Sequence, residues 1–351
     1  MAWQGLEGHD AVVERFVRAD AQGRLAGTYL FIGPPGVGKG CFALALARAL
    51  VCEAPRPGLV PCGGCASCIQ AAAGTHPDID VVRKPEDRAS IPLEAFIGDQ
   101  QHRMREGLCW RLLLRPALGT RKVALILDAD HLLDEAANCL LKTLEEPPPG
   151  AVIILVGTAL ERQLPTIRSR CQTIRFGPLE PAAVARAIAR EAEANGVQVD
   201  TDRLAASAAG CGGSLDRARL LLDPDLGRFR ETLIGLLGRR PLAGVELARE
   251  TIAIMEAAGK EAPARRARLR MAFDAAIEFY RAALRHDAAP GHADPLLGRA
   301  VAGWHGDREA AVEALITTLD AVDALERNAN LTVLVDAWTA GLEDPRFARP
   351  S

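Results

Sequence analysis

The chain has 351 residues, 49% of them apolar, and a formal net charge of −3. That length suggests two or three domains with sizeable cores, and near-neutrality does not imply strong electrostatic binding of nucleic acid by the whole chain, while leaving room for a local basic patch. The longest apolar stretch, Ala151–Val156, is far too short to cross a membrane, and Met1-Ala2-Trp3-Gln4-Gly5 lacks the basic start and apolar run of a secretory leader, so a cytoplasmic protein is expected.

Tyr29–Ile32 is a short apolar run that ends at Gly33, and Val37–Val51, rich in Ala and Leu, reads as a helix. Ile79–Val82, Val123–Leu127, Val152–Val156 and a short Ile174–Phe176 are further strand candidates. Unbroken runs of this kind suit strands buried on both faces by helices. They predict an α/β domain with a mainly parallel sheet over residues 1–177. After Pro178 the strands cease. Pro181–Asn195 reads as a helix closed by Asn195-Gly196, and helices near Thr201–Ala209 and Ser214–Leu222 follow, separated by Gly210-Cys211-Gly212-Gly213. This is a small helical domain over 178–223, with Asp223-Pro224-Asp225 at its boundary. Residues 224–351 read as all-helical, and Val312, Leu315, Ile316, Leu319, Val322 and Leu325 are expected on one face of a helix.

Gly33-Pro34-Pro35-Gly36-Val37-Gly38-Lys39 follows a strand and opens a helix. Glycines let the backbone curl so that N–H groups point inward at phosphates, the helix N-terminus adds positive potential, and a lysine reaches the outer phosphates. The plainer alternative is an ordinary strand–turn–helix connection. A working site places Ser or Thr after the lysine to hold magnesium; here Gly40 stands there. The apolar strand Val123–Leu127 ends in Asp128, suited to a magnesium-bound water, but Ala129 follows where a base should orient the attacking water, with Asp130 one place off. Asp128 and Asp130 could equally cap a helix starting near Leu132. The two defects together predict a phosphate-binding fold whose chemistry has decayed.

Of the nine cysteines, Cys41, Cys109, Cys139, Cys171 and Cys211 stand alone and read as small buried hydrophobes. Cys52, Cys62, Cys65 and Cys68 cluster in a loop broken by Pro55, Pro57, Pro61, Gly58, Gly63 and Gly64. Four thiolates in one short loop match a closed tetrahedral zinc site, and four cysteines leave no open position for catalysis. Disulfides, a redox Cys-x-x-Cys and an iron–sulfur cluster are the competing readings.

Leu164-Pro165-Thr166-Ile167-Arg168-Ser169-Arg170-Cys171 follows the fourth strand, and Ala137-Asn138-Cys139-Leu140-Leu141-Lys142-Thr143-Leu144-Glu145-Glu146-Pro147-Pro148 lies upstream. With the phosphate loop and the cysteine loop, these runs resemble the clamp-loader branch of the AAA+ proteins, the gamma/tau and delta-prime subunits of bacterial DNA polymerase III. The resemblance covers about the first half of the chain; the C-terminal helices, through Asn328-Ala329-Asn330-Leu331, resemble the family's collar loosely. Gamma/tau keeps the hydroxyl and the acidic base, so Gly40 and Ala129 side with the delta-prime type.

The resemblance implies an AAA+ module with a zinc module at 52–68, then a helical lid and an oligomerising collar. It implies a five-subunit ring with gamma/tau and delta subunits that loads a sliding clamp on primed DNA. Arg170 would be a finger offered to the ATP of an adjacent gamma/tau subunit, and Thr158 matches the family's first sensor position. Arg217 sits one place late for a sensing arginine, with Asp216 in its stead, and reads as a surface residue; Arg168 has no assigned role. Binding of ATP or ADP by Gly33–Lys39 stays open. The alternatives are a working motor ATPase of gamma/tau type and a zinc-dependent DNA-binding module, the latter weakened by the near-neutral charge.

Overall fold

Alternation along the strands explains how one sheet can be buried on both faces. In the computed structural model, Tyr29 and Phe31 join one core cluster and Leu30 and Ile32 the other. Val152, Ile154 and Val156 likewise part from Ile153 and Leu155. The structure describes residues 3–85, 88–99, 101, 105–239, 241–286, 294–304, 308–327 and 329–343. Asn328 of the collar run lies outside the described residues. The chain divides into two compact units, Met1–Ala218 and Arg219–Ser351.

The first unit contains, in chain order, α1 (Asp10–Ala21), β1 (Thr28–Ile32), α2 (Lys39–Val51), α3 (Ala66–Ala73), β2 (Ile79–Val82), α4 (Glu94–Ile97), α5 (Leu108–Leu113), β3 (Lys122–Ile126), α6 (Asp134–Glu145), β4 (Ala151–Gly157), α7 (Pro165–Arg168), β5 (Gln172–Arg175), α8 (Pro181–Ala194) and α9 (Thr201–Gly210), and the start of α10 (Leu215–Leu222). All strand pairs are parallel and the sheet order is β2-β3-β4-β1-β5. The C-terminal ends of β1, β3 and β4 are therefore neighbours, which brings Gly33, Asp128 and Thr158 to one edge of the sheet. The expected strands are present with ends shifted by a residue or two. Phe176, expected inside the last strand, follows it and donates its N–H to Ile32 O at 2.7 Å.

The second unit holds α11 (Pro224–Leu237), α12 (Gly244–Glu256), α13 (Ala262–His286), α14 (Pro295–Ala302), α15 (Arg308–Glu326) and α16 (Leu331–Glu343). Its core gathers Phe273, Phe279, Tyr280 and Trp338, and the buried Trp338 indole donates to Thr318 Oγ1 at 3.1 Å. The single apolar face expected on α15 splits in two. Val322 and Leu325 are buried with Ala311, Ala314 and Thr318, whereas Val312, Ile316 and Leu319 are exposed. From Ile316 to Leu325 the large residues drift by about 180° round the helix. The sequence reading followed the large side chains and overlooked the alanines that face inward. Among the described residues no helix is long and apolar enough to cross a membrane.

Candidate functional site

The phosphate loop needs glycine at two turns: Gly36 and Gly38 sit in the left-handed region, at φ 76° and 89°. Gly38 caps the N-terminus of α2. Lys39 is 6% exposed, and its Nζ donates to Gly33 O and Pro34 O, both at 2.6 Å. Burial pulls its pKa down to about 8, against the opposing attraction of Asp130 and Asp216. His9 Nε2 lies 2.7 Å from Val37 O, and because burial lowers this imidazole's pKa, the neutral ring donates there. From the other side Leu215 N–H donates to Gly36 O at 2.8 Å. A Cβ on Gly36 would lie 2.0 Å from Ser214 Oγ, so the start of α10 rests directly on the loop.

Lys39→Met should raise the stability of the isolated chain by about 2 kcal/mol at pH 7, because a buried cation gives way to an apolar side chain. Between about pH 8 and 10.5 the folded chain has released this proton while the unfolded chain still holds it, so wild-type stability climbs and the gain should shrink. Urea melts at pH 7 and pH 10 check this; an equal gain at both would contradict it.

The acidic groups of the site are committed elsewhere. Asp128 Oδ2 accepts the backbone N–H of Lys84, just beyond β2, at 2.9 Å. Asp130 accepts Thr158 N–H through both oxygens at 3.0 Å, Thr158 Oγ1 at 2.6 Å, and the Gln163 amide. Neither side chain caps a helix: Asp128 precedes the 3-10 turn Ala129–His131 without a side-chain capping bond, Asp130 lies inside that turn, and α6 starts at Asp134 behind Leu133. The C-terminal strand ends present unpaired backbone donors, and these carboxylates satisfy them. Ala129 is buried, and Gly40 has only the Leu127 side chain near where a Cβ would stand, at 4.0 Å. Asp216 is exposed and Arg217 half-buried.

At the far end of α2, Cys52, Cys62, Cys65 and Cys68 place their sulfurs within 4.8 Å of one another. Cys62 and Cys68 are 3.8 Å apart, the edge of a tetrahedron whose metal–sulfur bonds are about 2.3 Å. Backbone N–H groups of Cys62, Cys65 and Cys68 donate to the sulfurs of Cys52, Cys62 and Cys65 at 3.2, 3.4 and 3.4 Å. Donation from the Gly64 and Cys65 backbones pulls the Cys62 thiol down to about 6, and burial pushes Cys68 up to about 12. The donor set is soft and its four sulfurs are gathered within the reach of one ion, so the four residues can hold a metal ion. Of the single cysteines, Cys109, Cys171 and Cys211 are buried as expected, but Cys41 is exposed on α2 and Cys139 only half-buried.

The Ser169-Arg170-Cys171 triplet divides inside from outside. Cys171 is buried against the core, and burial raises its thiol to about 12. Thr28 Oγ1, at the start of β1, donates to Arg170 O at 2.8 Å. Arg170 thus lies at the N-terminal edge of the parallel sheet. The phosphate loop lies at the opposite edge, about 17 Å away along β1 at roughly 3.3 Å per residue. Its guanidinium pairs with Glu145, with Nε donating to Glu145 Oε1 at 2.7 Å. Arg168 is exposed. Sequence reasoning missed His9, Gln163 and Glu145, whose partners lie 28, 33 and 25 positions away with no local pattern to betray the contact.

The family described as "DNA polymerase III, delta subunit" matches residues 8–180. The chain is 37% identical over 161 residues to DNA polymerase III subunit delta' of Bacillus subtilis, covering 46% of this chain and 45% of that protein. It is 33% identical over 220 residues to subunit delta' of Escherichia coli, covering 63% and 61%. It is 34% identical over 251 residues to subunit gamma/tau of Mycobacterium tuberculosis, covering 67% and 40%. The chain spans about half the length of these curated relatives.

Proposed function

The chain belongs to the clamp-loader family of DNA polymerase III subunits, and on that premise we propose that it is a delta-prime-type subunit that lends Arg170 to a neighbour's ATP site. The observation that carries this reading is the place of Arg170, at the sheet edge opposite its own phosphate loop. From there it cannot serve a nucleotide held by Gly33–Lys39, but it can be presented to an adjacent subunit. A guanidinium near an outer phosphate offsets the charge that builds in the transition state.

The state of the chain's own site supports the same reading. Gly40 offers no hydroxyl to magnesium and Ala129 no base, while Asp128 and Asp130 are tied to Lys84 and Thr158. The loop keeps backbone donors that suit ATP or ADP but lacks the groups to turn either over. In this proposal residues 1–177 form the AAA+ module, 178–223 the lid and 224–351 the collar of a ring shared with gamma/tau and delta subunits in the cytoplasm. The ring places a sliding clamp on primed DNA. Cys52, Cys62, Cys65 and Cys68 hold a structural zinc, whose chemistry is to fix the loop rather than to react.

A second reading, a working motor of gamma/tau type, is favoured by the length of the gamma/tau match, 67% of this chain. ATP turnover by the isolated chain separates the two. Negligible hydrolysis is expected, and Gly40→Thr alone should leave it silent because Ala129 still supplies no base. Robust magnesium-dependent turnover by wild-type protein would favour the motor.

A further inference from the structure

The two runs that carry the family resemblance meet in the folded chain. Glu145 ends the Leu140-Leu141-Lys142-Thr143-Leu144-Glu145 run on α6, and its carboxylate holds Arg170. A guanidinium has five N–H donors. Nε donates to Glu145 Oε1 at 2.7 Å and Nη2 donates to the same oxygen. Nη1 donates to Thr166 O at 2.9 Å and to Ser169 Oγ at 3.2 Å. Four donors are thereby engaged within the chain, and neither neighbouring pair of N–H groups is open to grip a phosphate through two oxygens, the geometry that makes arginine an effective phosphate ligand.

From this we infer that Glu145 is a counter-ion clasp: it parks Arg170 against its own chain and must yield the guanidinium before a neighbour's phosphate can take it. The pair sits where such an exchange is cheap. The Glu145 side chain is 50% exposed and that of Arg170 28%, so water screens their attraction. Glu145 is also the last residue of α6, where the helix dipole disfavours a carboxylate. Arg170 relieves that repulsion while parked. A triphosphate, carrying more negative charge than one carboxylate, outcompetes Glu145 when a subunit interface brings it close. Glu145 is thus a positioning residue that sets how readily the finger engages.

The clasp rests on the finger reading of Arg170, and the test keeps the two apart. Complexes are reconstituted in which only the ATP site beside this chain remains active, carrying wild type, Glu145→Gln, Arg170→Ala or both changes. Melting of each isolated chain confirms folding. Glu145→Gln removes the competing charge but keeps the side chain's shape. It should lower KM for ATP about two- to fivefold, the size of one exposed charge pair, and leave kcat unchanged. In the Arg170→Ala background it should change nothing. If Arg170→Ala leaves turnover at the wild-type level, the finger reading fails and the clasp with it. If Arg170→Ala lowers turnover but Glu145→Gln leaves KM unchanged, raises it or lowers kcat, the clasp alone is overturned.

Discussion

Arg170→Ala should lower DNA- and clamp-stimulated ATP hydrolysis by about a thousandfold at the single site it serves, the scale of losing an arginine finger in phosphoryl transfer. Measured over a whole loader the drop will be smaller, because the remaining sites mask it, but clamp loading should slow visibly. Folding should barely change. The side chain lies on the surface, and its pair with Glu145 is of the exposed kind that contributes about 0–1 kcal/mol. The anchoring of this segment comes instead from Cys171 in the core and from Thr28 Oγ1 on the Arg170 carbonyl, both of which the substitution leaves in place. Arg170→Lys should not rescue, since a compact ammonium cannot reproduce the forked donors of a guanidinium. A mutant complex that assembled and loaded clamps at the wild-type rate would return Arg170 to the role of a partner for Glu145 within this chain.

What the sequence made legible follows from how local each signal is. The strands were readable because β1, β3 and β4 are buried from end to end, so they appear as unbroken apolar runs. The phosphate loop was readable because its turns need Gly36 and Gly38 at fixed positions. The cysteine cluster was readable because its four thiols lie close together along the chain. The roles of Asp128 and Asp130 were not, since an acidic residue after a strand can cap a helix, bind magnesium or tie a neighbouring strand. Only the register of β2, β3 and β4 decides that here it ties. The short α4 and α5 carry too few turns to show a periodicity. On α15 the inward-facing alanines and the exposed Ile316 and Leu319 reverse what residue size suggests.

The cysteine loop offers the second large effect. Residues 52–68 contribute little apolar surface of their own: Leu59 is buried and Val60 half-buried, while prolines and glycines keep the stretch before α3 out of helix and named strand. Its order therefore depends on what joins the four sulfurs, and a four-thiolate zinc site supplies apparent binding free energies on the order of 10 kcal/mol or more. Purified chain should carry about one zinc. Chelation, or Cys65→Ser, should raise amide exchange at Cys62, Cys65 and Cys68, whose N–H groups donate to sulfur, by about a thousandfold or more, as a locally stabilised loop becomes free to open. Exchange in β1 and β4 should move less, because from the loop Leu59, with Val60 at its margin, is what joins the core of Phe31, Phe42 and Ile154, and Leu155 lies in the other cluster. Metal binding displaces thiol protons, so affinity should fall as pH falls, and the loop should open at a higher zinc concentration at pH 6 than at pH 8. Protein that carried no metal when purified under reducing, chelator-free conditions, with all four cysteines freely alkylated in the native state, would remove zinc from the account and leave the loop's order to its hydrogen bonds, the sulfur–amide ones together with those from Trp3 Nε1 to Gly58 O and from Gln4 Nε2 to Leu59 O.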